Sequence, residues 1–181
     1  MKRSIMTLAL AALALSGTAV AGDIDYNYVE GGYYKLDDAS KGPVLRAGVR
    51  FADSGFYGNA GYSRQELDGW GVKFNLTNIN LGYAYNFAPR TDLQAELGYQ
   101  RASVSGGSVD GNRASIGVAH AFNPHFQGFV RANHYFGGDL ESDTTGTLGA
   151  TGKFTQNWGL TGEVEFGDGG NTYLATVRYA F

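Results

Sequence analysis

The sequence predicts an all-β protein: a closed, antiparallel, up-and-down transmembrane β-barrel. Three observations carry that prediction. Beyond residue 21, apolar and polar residues alternate with period two along most of the chain. The polar partners in that alternation are mainly Gly, Ser, Thr, Asn and Gln, with few charges. Aromatic residues gather at the ends of the alternating stretches. A soluble sandwich also alternates, but its exposed face carries abundant Lys and Glu and its strands are short. Here charged residues are only 17% of the chain and aromatics 14%, nearly all from 12 Tyr and 11 Phe. Ordinary soluble domains carry roughly 25% charge. Lipid outside, a polar lumen inside and aromatic girdles at both interfaces produce this pattern. The sheet must close, because no backbone group can go unpaired in hydrocarbon.

Residues 1–21 read as a secretory signal peptide and residues 22–181 as the barrel. Lys2 and Arg3 form a positive start, Ile5 to Leu15 an apolar core, and Ala19-Val20-Ala21 a small-residue cleavage motif before Gly22. The apolar run is too short to span a bilayer as a helix. The chain has no Cys, which excludes a lipid-modified Cys after cleavage, a disulfide framework and thiolate chemistry. Losing Lys2 and Arg3 takes the formal charge from -3 to -5.

The strands follow in order. Leu45, Ala47, Val49 and Phe51 alternate with Val44, Arg46, Gly48 and Arg50. Leu93, Ala95, Leu97 and Tyr99 alternate with Gln94, Glu96, Gly98 and Gln100. Leu160, Gly162, Val164 and Phe166 alternate with Gly159, Thr161, Glu163 and Glu165. Short breaks fall at 53–55, 88–90, 123–125 and 155–157. Longer polar breaks fall near 37–42, 67–75, 105–110, 137–145 and 167–170. Short and long breaks alternate, as four periplasmic turns and five external loops would, and they join ten strands. Eight strands is the alternative, because residues 22–36 and 70–87 alternate less cleanly. In the latter, Trp70, Val72, Phe74 and Leu76 share one parity, whereas Ile79, Leu81, Tyr83, Tyr85 and Phe87 share the other. A loop or bulge is expected between them.

The last strand carries Tyr173, Ala175, Val177, Tyr179 and Phe181 at every second position. A terminal Phe on such a strand looks like the signal read by the outer-membrane barrel assembly machinery. That machinery is therefore an expected partner, alongside outer-membrane lipid and lipopolysaccharide.

The segments Tyr26-Asn27-Tyr28-Val29-Glu30-Gly31-Gly32-Tyr33, Gly61-Tyr62-Ser63-Arg64-Gln65 and Asp68-Gly69-Trp70-Gly71-Val72-Lys73 resemble the Ax-type outer-membrane proteins of xanthomonads and their relatives. More broadly, the chain beyond residue 21 is similar to small Gram-negative outer-membrane barrels. The resemblance implies an integral outer-membrane protein linked to adhesion, biofilm and host interaction. It transfers no catalytic residue.

No enzyme, cofactor or metal site is expected. His125 falls in a turn. His120 and His134 share parity with the lipid-facing Ile116, Val118, Val130 and Ala132, which suits interfacial rings. Ser115 shares a strand with His120 but faces the other way, so no nucleophile–base pair forms. Asp139, Glu141 and Asp143 offer alternating carboxylates but lack an EF-hand pattern. With Asp37, Asp38, Glu66, Asp68, Asp110 and Asp168 they suggest an acidic rim that gathers divalent cations loosely. Such a rim would favour an extracellular cationic or host partner over an anionic one. A pI of about 5.5 gives no footprint for nucleic acid.

The lumen is the informative surface. Inward parity holds Arg46, Arg50, Glu96, Arg113, Arg131, Lys153, Glu163, Glu165 and Arg178, with Gln94, Gln100, Gln127, Asn59, Asn80 and Asn133. Buried charges must pair. The principal expectation is a salt-bridged plug inside a structural, surface-presenting barrel. The alternative is a narrow passive channel for ions or small polar solutes. Extrapolated pairing sets Arg46 level with Gly61, Gly82, Glu96, Gly117 and Arg131. The three glycines would let both arginines reach Glu96. Leu45, Val49, Leu97, Val118, Val130, Leu160, Val164, Ala175 and Val177 are expected on the lipid face.

Overall fold

The computed structural model describes residues 24–37, 39–52, 54–139 and 141–181. The expected signal peptide lies outside them. Ten strands run in order: β1 (Tyr28–Leu36), β2 (Ser40–Arg50), β3 (Phe56–Leu67), β4 (Lys73–Ala88), β5 (Thr91–Val104), β6 (Gly107–Asn123), β7 (Phe126–Phe136), β8 (Asp143–Lys153), β9 (Trp158–Phe166) and β10 (Thr172–Ala180). Each pairs antiparallel with its sequence neighbours, and β10 closes on β1, so the sheet has no free edge. Ten strands decide against eight.

Two ends can be distinguished. At the turn end the connections are residues 51–55, 89–90, 124–125 and 154–157; at the loop end they are 37–39, 68–72, 105–106, 137–142 and 167–171. The two tightest turn-end connections follow the same pattern. Phe87-Ala88-Pro89 and Phe122-Asn123-Pro124 each carry a register shift, between Asn86 and Ala88 and between Ala121 and Asn123. Proline suits such a site, because it removes a ladder donor where pairing stops.

At the loop end the expected breaks near 67–75, 137–145 and 167–170 are loops, whereas those at 37–42 and 105–110 shrink to tight turns. Residues 105–110 are strand except for the turn Ser105-Gly106, where Gly106 has φ 103°. Positive φ is nearly free only for glycine. Polar sequence at this end does not mean loop. Beyond the hydrocarbon, polar side chains can occupy both faces of a strand while its backbone stays paired. β4 is likewise unbroken from Lys73 to Ala88, with no loop or bulge between Leu76 and Ile79. Phe74 and Leu76 point inward, on the parity of the buried Asn80, and Leu76 lines the lumen.

The molecule is apolar outside and polar inside. Leu97, Leu160, Val130 and Val177 stand exposed on the outer face, together with Ile79, Leu81, Ile116 and Leu148. Leu45 is exposed on the same face, and Val49, Val118, Val164 and Ala175 keep the same outward parity. Exposed aromatics ring this belt. Phe51, Phe56, Tyr85, Phe122, Phe154 and Trp158 lie towards the turn end; Tyr33, Tyr62, Tyr99, Phe136, Phe166 and Tyr173 lie towards the loop end. Bilayer hydrocarbon is the solvent that this surface fits. The largest fully buried side chains are instead Gln65, Glu30, Asn133, Thr151 and Ser40.

Candidate functional site: the polar lumen

One cavity of about 470 Å³ occupies the barrel interior. Its lining begins with Asp25 and Gln127 near the turn end and reaches Glu141 and Asp143 at the loop end. It therefore runs most of the barrel's length.

Two ion clusters narrow its middle. Glu30 on β1 is fully buried and pairs with Arg46 of β2 and Arg178 of β10, its two lateral neighbours. The Arg178 Nε–Glu30 Oε2 distance is 2.8 Å, and Thr176 Oγ1 donates to the same oxygen at 3.2 Å. Arg46 also spans the lumen to Glu163, with its Nη1 3.0 Å from Glu163 Oε2. The planar guanidinium fork suits this bridging between carboxylates. The second cluster centres on Glu96. Arg113 Nη2 lies 3.1 Å and Arg131 Nη1 3.7 Å from Glu96 Oε2, and Tyr57 Oη donates to Oε1 at 2.9 Å.

The expected row across six strands therefore changes partners. Arg131 is near Glu96, but Arg46 belongs to Glu30 and Glu163. Each hairpin closed by a short turn has the expected register: Arg46 faces Gly61, Gly82 faces Glu96 and Gly117 faces Arg131. Both pairings closed at the loop end differ, with Gly61 opposite Asn78 and Glu96 opposite Ser115. Connection length does not decide this, since the β5–β6 turn has only two residues; its register differs because residues 107–110, read as loop, are paired strand.

Glycine does open lateral access, for other residues than expected. A Cβ on Gly82 would lie 2.4 Å from Tyr57 Cζ. The ring lies over Gly82 and so reaches Glu96 on the strand beyond. A Cβ on Gly98 would meet Asn80 Oδ1 at 1.9 Å. Asn80 lies over that glycine to accept from Arg113 Nη2 at 3.0 Å.

The remaining expected lumen charges lie nearer the two mouths. Arg50 Nη2 lies 3.6 Å from Asp92, and the guanidinium covers the Tyr26 ring at 4.3 Å. Lys153 Nζ reaches Asp25 Oδ2 at 2.6 Å. Towards the loop end Glu165 accepts from Tyr135 Oη at 2.8 Å and Thr145 Oγ1 at 2.6 Å.

Sequence reasoning missed Asp25, Tyr26, Glu30, Tyr57 and Asp92. Tyrosines hid Glu30. In β1, Tyr28 and Tyr34 point inward with Glu30 while Tyr33 points outward, which erases the apolar period. The usable signal was Glu30 itself, an acid in a strand whose outer face had to meet lipid.

Residues Ile24 to Tyr26 cross the turn-end mouth. Tyr26 Oη donates to Asp92 at 2.8 Å and accepts from Gln94 Nε2 at 2.8 Å, both on β5; its ring meets that of Tyr57 on β3 at 4.5 Å. Asp25 N donates to Gln127 of β7. A segment leading into β1 thus ties five other strands together from inside: β2 through Arg50, β3, β5, β7, and β8 through Lys153.

The residues considered for chemistry stay apart. Ser115 Oγ donates inward to Asn133 at 2.9 Å, while His120 sits on the outer face with Thr91 and Phe122. His134 stacks on Phe136 near the loop-end girdle. Among the described residues no three His, Asp or Glu side chains gather as a metal site would need. Tyr173, Ala175, Val177 and Tyr179 face outward on β10, and Phe181 stacks on Tyr179 at 6.3 Å.

No family model and no curated protein matches the chain. Among solved structures it is similar to the KdgM porin, at a TM-score of 0.53 and 16% identity over 85% of this chain and 99% of that one. The same porin, determined in complex with disordered oligogalacturonate, matches equally well. A loop-deletion mutant of OmpT, an outer membrane protein of Vibrio cholerae, aligns at 15% identity over 88% of this chain and 60% of that one, with a TM-score of 0.40. The likeness to KdgM shows the fold: a closed barrel of the kind found in outer-membrane porins.

Proposed function

We propose that this protein is a narrow passive channel of a Gram-negative outer membrane, admitting ions or small polar solutes. The observation that carries the reading is the polar cavity lined from Asp25 to Glu141. A plug would use the same charges but would fill the space between them, whereas this lumen keeps a cavity of about 470 Å³. Buried Arg131 Nε, Arg50 Nε and Gln94 Oε1 find no hydrogen-bond partner among the described residues. The fold shared with KdgM supports the same reading.

Adhesion and biofilm roles rest on the resemblance to Ax-type proteins alone. The loop-end connections are short, and a connection such as Ser105-Gly106 offers little surface to a partner.

The test is single-channel recording in planar bilayers. Steady, reproducible unit steps from protein shown by its heat-shifted gel mobility to be folded are expected. Folded protein that never opens would return the lumen to a plug.

A further inference from the structure

Outside the lumen, the loop-end cations all lie on one side of the barrel. Lys35, Lys41, Arg64, Lys73 and Arg101 are exposed on β1 to β5. Among the described residues, the loop end of β6 to β10 carries Asp110, Asp139, Glu141, Asp143 and Asp168, and no Lys or Arg outside the lumen. The expected acidic rim is therefore mixed in charge on the β1–β5 side, where Asp37, Glu66 and Asp68 stand among these cations.

The cations are in register with one another and with the aromatic girdle. Lys35 pairs with Lys41, Lys41 with Glu66 and Glu66 with Lys73, so these four form one row across β1 to β4. Tyr33, Tyr62 and Tyr99 belong to the girdle, and Lys35, Arg64 and Arg101 follow two residues farther towards the loop end. Two residues of strand span about 7 Å. The girdle marks the headgroup level, so the cations project just beyond it. Lys41 is held by Asp68 at 2.7 Å and Lys73 by Glu66 at 3.4 Å. Lys35 and Arg64 make no ion pair among the described residues, and Arg101 Nη2 contacts only the Ser108 hydroxyl, at 2.8 Å.

We infer that the β1–β5 face binds a phosphorylated glycolipid of the outer leaflet: acyl chains on the apolar belt, sugar on the tyrosines, phosphates on Lys35, Arg64 and Arg101. Depth decides for lipid over a soluble anion, because the cations border a continuous apolar wall. The inference rests on the outer-membrane placement proposed above.

The test uses the full barrel in detergent and native mass spectrometry to count retained lipid A and its dephosphorylated form. The variants are Lys35→Gln/Arg64→Gln/Arg101→Gln and, on the other face, Asp139→Asn/Asp168→Asn. Wild type should retain lipid A at least about tenfold better than the dephosphorylated lipid. The triple cation variant should lose that preference while keeping its heat-shifted gel mobility. The carboxylate variant should keep it, in chelator as well. Equal retention of the two lipids, retention by the cation variant, loss in chelator, or displacement by millimolar inorganic phosphate would each overturn the inference. Failure to enter vesicles free of lipid A would instead tell against the membrane placement.

Discussion

Glu163 and Val164 are neighbours on β9, yet they answer to different rules. Val164 faces outward with Leu160, Leu148 and Val130, and any apolar side chain of moderate size would serve there. Glu163 faces a lumen in which, among the described residues, Arg46 is its ion-pair partner. The outer face is specified by chemistry alone; the inner face is specified by pairs. A substitution outside should therefore cost according to its depth, whereas one inside should cost according to what it leaves behind.

The largest effect tests the inner rule. Glu30→Ala removes the carboxylate shared by Arg46 and Arg178, leaving Arg178 over the Tyr28 ring with no carboxylate to meet. Breaking a buried pair in this way costs about 3–5 kcal/mol. Urea unfolding from lipid vesicles measures it. A loss below about 1 kcal/mol, the scale of exposed pairs, would place that cluster in water.

Next, Val130→Arg should cost about 2–4 kcal/mol at mid-belt, and Phe136→Arg near the girdle about 0–1 kcal/mol in the same assay. Equal costs at the two positions would break the depth rule.

Gly82→Ala sharpens the comparison from the inside. The new methyl displaces the Tyr57 ring, and an overpacked position typically costs about 1–3 kcal/mol. Tyr57→Phe separates the two contributions, because it removes the bond to Glu96 without crowding. If Gly82→Ala costs no more than Tyr57→Phe, the glycine is not there for clearance.

Tyr26→Ala should cost about 1–3 kcal/mol, the scale of leaving buried Asp92 and Gln94 without their hydroxyl partner, and change conductance visibly, because Tyr26 sits across the turn-end mouth. Unit conductance is expected to rise. An unchanged step would place the limiting constriction at the Glu30 and Glu96 clusters. The smallest effect on the folded state is expected from Phe181→Ala: folding in detergent is unaffected, while insertion in cells slows. Equal levels of heat-shifted barrel in outer membranes would remove Phe181 from the assembly signal.

How much was legible follows from the same two rules. Period two needs only the pleat, so the facing of Arg46, Glu96, Arg131 and Glu163 could be read from the sequence. So could the registers closed by residues 51–55, 89–90 and 124–125. The loop-end pairings could not. Gly61 meets Asn78 because many distant side chains settle together, and no local signal records that choice. Nor could the segment Ile24 to Tyr26, whose contacts lie on strands up to 128 residues away at Lys153.

The sequence by itself determined that the chain is a closed antiparallel barrel with an apolar outside, and left ten strands against eight to the structure, because alternation, turns and girdles are local and lipid tolerates only a closed sheet. Only the tertiary structure decided which arginine meets which carboxylate, that Tyr26 crosses one mouth, and that the outer cations share one half of the rim. Those facts depend on the register accumulated from strand to strand around the barrel, which becomes fixed when β10 finds β1.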